Sequence, residues 1–150
     1  MSESIRFETG LVTYDLNGCA SVTFNPTDPA FFGRVYDAFD VLDKKQEAYR
    51  KEIESADKTA ILEITRRLDA EMRQTIDDLF GEPVCAPLFG KMNVYAMAGG
   101  LPVWANLMLA IIEKAEDALP KERAQTQAKI AKYTAKYHKY TLCCLNCRQN

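Results

Sequence analysis

Between Gly33 and Gly81 the chain contains no glycine and no proline. Apolar side chains recur there and just before it, at Phe32, Val35, Phe39, Leu42, Tyr49 and Ile53. A second set follows at Ile61, Ile64, Leu68, Met72, Ile76 and Leu79. Steps of three and four residues place each set on one face of an α-helix. Residues 29–80 are therefore read as helical. The stripe stays nearly in phase at 3.6 residues, which one long helix would satisfy. Ser55-Ala56-Asp57 supplies side chains that cap a restart, and two helices hinged there are expected. Asp28 suits an N-cap and Pro29 the first helical position. Gln46 is the polar gap in the first stripe.

Upstream, residues 5–24 read as a β-hairpin. Val12, Tyr14 and Leu16 alternate with polar residues, as do Ala20, Val22 and Phe24. Asn17-Gly18 between them tolerates the positive φ of a type I′ turn. A lone hairpin is marginal in water, so it must pack on the helices or pair with another chain. Downstream, Gly81, Pro83, Pro87 and Gly90 mark residues 81–90 as a loop, with Leu88 and Phe89 as buried plugs. Residues 92–112 carry no charge. The break Gly99-Gly100-Leu101-Pro102 and two asparagines argue for a core helix over 101–119 rather than a membrane span. Pro120 then separates a last helix, 121–140. The fold class is therefore α+β: an N-terminal β-hairpin, a mainly helical body and a basic C-terminal helix. One domain covers 1–142 and a flexible Cys-rich tail covers 143–150.

Of the 150 residues, 47% are hydrophobic and 27% charged, as in soluble globular domains. The formal net charge of −2 hides a split. Residues 1–120 sum to −8 and residues 121–150 to +6. An acidic body with a basic end implies that the end contacts something acidic: another copy, a partner protein or nucleic acid. Five cysteines, Cys19, Cys85, Cys143, Cys144 and Cys147, are an odd and uneven set. With no apolar run behind a basic start, they point to a reducing cytoplasm.

Chemistry-bearing patterns are few. Cys144 and Cys147 have C-x-x-C spacing, with Cys143 and His138 nearby, but no second pair completes a zinc set. Asp69, Asp77 and Asp78 with Glu71 could suggest a carboxylate site, but Asp69 and Asp77 each lie one turn from Arg73, which reads as surface ion pairing. Gly99-Gly100 lacks the surroundings of a phosphate loop. No nucleophile-base-orienter arrangement exists, so no enzyme activity, metal or cofactor is expected. The most distinctive surface is in the last helix. Lys129, Lys132, Lys136 and Lys139 run beside Ile130, Tyr133, Tyr137 and Tyr140 as two adjacent stripes. Lysines can meet phosphates while tyrosines stack on bases. Equally, the tyrosines can pack on the body and leave the lysines as a solvated or partner-facing edge. The acidic body speaks against nucleic acid.

One order of motifs resembles a known family. An Asn-Gly hairpin ends in Thr23-Phe24-Asn25-Pro26-Thr27-Asp28 and leads into a long charged helical region. Arg73-Gln74-Thr75-Ile76-Asp77-Asp78-Leu79-Phe80-Gly81 follows, then Leu88-Phe89-Gly90, Gly99-Gly100-Leu101-Pro102 and a Lys-Tyr-rich end from Tyr133 to His138. This order, over roughly residues 11–140, resembles the small tail assembly chaperones of long-tailed phages and prophages of Gram-positive bacteria. The resemblance implies a cytoplasmic, non-enzymatic protein without a cofactor. It would bind the phage tape-measure protein, keep it soluble and give way to the major tail protein as the tube polymerises. The Cys-rich ending is not part of the resemblance.

The candidate partner-contact face is then Lys129, Lys132, Tyr133, Lys136, Tyr137, Lys139 and Tyr140. Two other readings stay open: a structural tail-completion protein, retained in the particle, and a small nucleic-acid-binding module. The charge split favours head-to-tail association of copies along a client. Self-association should weaken as salt rises, and a chain truncated before Lys121 should sediment as the less associated form; unchanged sedimentation would rule the charge split out as the cause.

Overall fold

The structure, a computed structural model, describes residues 1–136, excepting the side chains of Thr126 and of residues 129–136. The chain divides into two compact units, Met1–Ala115 and one beginning at Glu116. Its elements are β1 (Val12–Leu16), β2 (Ala20–Phe24), α1 (Pro29–Glu54), α2 (Lys58–Phe80), α3 (Cys85–Phe89), β3 (Met97–Ala98), β4 (Leu101–Pro102) and α4 (Val103–Lys136). The α+β class is as expected.

The hairpin pairs Val12 with Phe24 and Leu16 with Ala20, antiparallel. It is shorter than the 5–24 expected, because residues 1–11 join no strand. Asn17 and Gly18 both take positive φ, 53° and 72°. The Cys19 N–H closes the turn on the Leu16 carbonyl at 3.0 Å. Pairing resumes only at Ala20, so the loop spends three residues rather than two. Alternation then sorts the faces. Tyr14, Leu16, Val22 and Phe24 turn inward, while the Thr13 and Thr23 hydroxyls meet on the other face at 2.8 Å.

The hairpin packs on its own helices. Phe24 stacks on Tyr14 (4.6 Å between centroids) and on Phe31 (4.5 Å), and Phe31 meets Phe32 edge-on. Helix α1 starts where expected: Asp28 caps the Ala30 N–H at 2.9 Å, with Pro29 in the first turn. The break is also where expected. α1 ends at Glu54, and Asp57 accepts the Ala60 N–H at 2.8 Å to restart α2. The two helices form an antiparallel pair crosslinked by Lys45–Glu71 (3.1 Å) and Arg67–Glu52 (2.7 Å). Their stripes supply Val35, Leu42, Leu68, Met72 and Ile76 to the buried interior. Gly81 ends α2 in the left-handed region, φ 71°, where a side chain would be strained.

Three readings need correction. Residues 81–90 are not all loop, because α3 forms over Cys85–Phe89. Leu88 and Phe89 are only partly buried against the core, and the fully buried plugs are Val84 and Cys85. The Gly99-Gly100 break is the turn of a second small hairpin, β3–β4, with φ 60° and 86°. Finally, Pro120 does not separate two helices: α4 runs unbroken from Val103 to Lys136 with Pro120 inside it. Proline removes one N–H and so frees the carbonyl four residues back, that of Glu116. Both positions are exposed, where water can take the bond, and Lys, Glu, Arg and Ala follow as strong helix formers.

Within the first unit, α4 contributes Trp104, Ala105, Met108 and Ile111 to the core. Trp104 is 2% exposed and its indole N–H donates to Gln46 Oε1 at 2.7 Å. The polar gap in the first stripe thus exists to meet the chain's one tryptophan. Gln46→Ala should leave that buried donor unpaired and lower the unfolding free energy by about 1–3 kcal/mol, read by urea denaturation.

Candidate functional site

Two arrangements in the first unit deserve description, one polar and one apolar. The polar one is built on α2. Asp69, Arg73 and Asp77 lie four residues apart and so share one helix face. Arg73 Nε donates to Asp69 Oδ2 at 3.0 Å, and both side chains are about one-fifth exposed. The Arg73 guanidinium also donates to the carbonyls of Gly90 (2.8 Å) and Met92 (2.6 Å). Asp69 Oδ1 accepts the Val94 N–H at 2.8 Å. Asp77 Oδ1 accepts the N–H groups of Val84 and Cys85, each at 3.0 Å.

The expected Asp69–Arg73 pair forms, but on a partly buried face rather than at the surface. These side chains act inward as a clamp on the segment from Val84 to Val94, adding to the backbone bonds that α3 and its flanks make. Asp77 pairs with backbone rather than with Arg73. Sequence spacing could show that the three share a face but not which way that face points. Cys85 sits under the clamp, and burial, then the neighbouring Asp77 carboxylate, push its thiol up to about 12. It holds no thiolate near neutral pH and is no nucleophile. Because the unfolded thiol ionises near 9.0, its contribution to stability is complete below that pH and fades as pH rises toward 12. Tyr95 stacks on Tyr49 at 4.4 Å, and its buried hydroxyl has no partner among the described residues. Burial raises the Tyr95 pKa as well, with the Tyr49 hydroxyl and the Glu71 and Asp69 carboxylates adding to it.

The apolar arrangement is a groove of about 510 Å³. One wall is Tyr14 to Asn17 of β1 and its turn. Leu88 and Phe89 of α3 and Met92 form the second, and Val103, Leu107, Ile111 and Lys114 of α4 the third. Its charged members are Asp15 and Lys114, the latter 5.9 Å above the Tyr14 ring. A mostly apolar concavity with few polar groups, in the roughly 300–1,000 Å³ range of binding sites, suits side chains of a polypeptide. Sequence reasoning missed it, because Leu16, Phe89 and Ile111 are far apart in the chain and each reads as core.

The sequence-predicted face divides. Positions 129, 132, 133 and 136 lie within α4. Tyr137, Lys139 and Tyr140 lie outside the described residues, as do His138, Cys143, Cys144 and Cys147. Among the described residues no group of three His, Cys, Asp or Glu could hold a metal ion. No helix among them is long and apolar enough to cross a membrane.

Comparison with protein-family models, with curated proteins and with solved structures gives no match. The chemistry of both arrangements is that of holding and docking. Asp69→Ala should free the Val94 N–H and strand Arg73, costing about 1–3 kcal/mol in urea unfolding, whereas Glu71→Ala, losing only an exposed ion pair, should cost below about 1 kcal/mol.

Proposed function

We propose that this protein is a non-enzymatic assembly chaperone of a phage tail, which binds the tape-measure protein in the host cytoplasm and yields it to the major tail protein. The motif order set out above suggests the family. The observation that carries the reading is that the chain is helical as far as Lys136. This puts Lys129, Lys132, Tyr133 and Lys136 in one helix at i, i+3, i+4 and i+7, the spacing by which a helix engages a helical client. A basic stretch of this kind can also be released by competition, since ionic contacts made in water are weak and exchange readily.

Co-expression with the tape-measure protein of the same genome tests the reading. The long protein should become soluble and co-purify, and Tyr133→Ala combined with Lys132→Glu and Lys136→Glu should reduce recovery at least about tenfold. No interaction, with the chain retained instead in assembled particles, would leave a structural tail protein as the better account.

A further inference from the structure

Two apolar surfaces in the first unit have no partner among the described residues. One is the groove beside β1. The other is the N-terminal segment, whose Ile5 is 87% exposed and Phe7 79% exposed. Large apolar side chains held this far into water at consecutive alternate positions favour burial elsewhere. Ile5 and Phe7 alternate with Arg6 and Glu8, so an extended segment 5–8 has one apolar and one charged face.

We propose that residues 1–11 are an exchange arm that lies in the β1 groove of a second copy of this chain, reciprocally. Three observations favour this occupant. First, the groove presents a strand edge. β1 has β2 as its only ladder partner among the described residues, and consecutive residues Tyr14 to Asn17, which point to opposite faces, all line the groove. Strand β1 therefore meets the groove edge-on, with backbone groups open to an added strand.

Second, the charges match. The arm carries Arg6 and Glu8 around Phe7, and the groove carries Asp15 and Lys114. None of these four makes a salt bridge among the described residues. With Ile5 and Phe7 inserted beside Tyr14 and Leu16, Arg6 falls on the same face of the added strand as Asp15 and can meet it.

Third, the arm's root is fixed away from its own groove. Asn25 Nδ2 donates to the Thr9 carbonyl at 2.9 Å, and Gly10 takes φ 70° beside it. A Cβ at Gly10 would sit 2.6 Å from Asn25 Nδ2, so this close root requires glycine. Asn25 follows the Val12–Phe24 end of the hairpin, whereas the groove lies at its turn end. Two reciprocal arms, each burying an aromatic and an aliphatic side chain plus backbone, bring the covered surface to the order of 1,000 Å² that a specific interface needs.

This inference is independent of the tape-measure reading, and its test contains no client. Sedimentation velocity of the full chain, up to about 100 μM, should show a reversible dimer. Phe7→Asp should raise its dissociation constant at least about tenfold, as expected on losing a central aromatic anchor. Since Phe7 lies in solvent in the single chain, circular dichroism of that variant should be unchanged. Arg6→Glu and Asp15→Arg should each weaken the dimer about two- to fivefold, and the two together should restore it to within about twofold. A chain that stays monomeric throughout, a dimer indifferent to Phe7→Asp, or charge changes that add instead of cancelling would each overturn the proposal.

Discussion

The clamp of Asp69, Arg73 and Asp77 is the contact on which the rest of the first unit depends. The segment between α2 and α4 is long and mostly irregular, yet it brings Val84, Cys85 and Val94 into the core, each at 2% exposure or less. Burying such backbone unpaired would be prohibitive. Two carboxylates and one guanidinium supply partners for three N–H groups and two carbonyls of that segment. The segment then seats α4: Ala96 accepts the Val103 N–H at 2.8 Å and Val94 the Trp104 N–H at 3.3 Å. Trp104 in turn reaches Gln46 of α1, and α1 is tied back to α2 through Lys45–Glu71. The contacts close a ring from α2 to loop to α4 to α1. Loosening the clamp should therefore be felt at the tryptophan.

Much of this was legible because local signals were strong. The hinge at Ser55 to Asp57 and the cap at Asp28 each followed from one residue's ability to bond its own backbone. The Asn17-Gly18 turn followed from tolerance of positive φ. What stayed hidden depended on partners distant in sequence. Gln46 read as an interruption because its partner lies 58 residues away. Asp69 and Arg73 read as surface charges because helical phase fixes which residues share a face and leaves open what that face meets. Pro120 misled for a different reason. Exposure lets water take the freed carbonyl, and the helix formers on either side carry the turn across the remaining cost. The groove could not be seen at all, since it is a property of surfaces from four elements.

The ionisable groups divide by role. Where burial is deep, at Cys85 and Tyr95, it drives each toward its neutral form, which suits packing and removes reactivity. Where charge persists in the interior margin, at Asp69 and Arg73, each charge is compensated at hydrogen-bond distance. Asp77 is compensated likewise, by two backbone N–H groups. The net −8 of residues 1–120 against +6 of residues 121–150 bears on association rather than fold.

The two proposed contacts between copies differ in symmetry and in physics. Reciprocal arm exchange is isologous: each copy gives an arm and receives one, so the pair closes on itself. Its core is apolar and should tolerate salt. A basic end on the acidic body of the next copy is heterologous and open-ended, and salt screens it. A closed contact alone makes dimers, while an open one alone makes weak chains of copies. Combined, they allow dimers to be strung along an extended client at a spacing that ionic strength and competition can undo without unfolding any copy. Such an array needs strength within each unit and weakness between units. The sequence places its apolar alternation in the first eleven residues and its surplus lysine in the last thirty, so the two requirements fall on opposite ends of the chain.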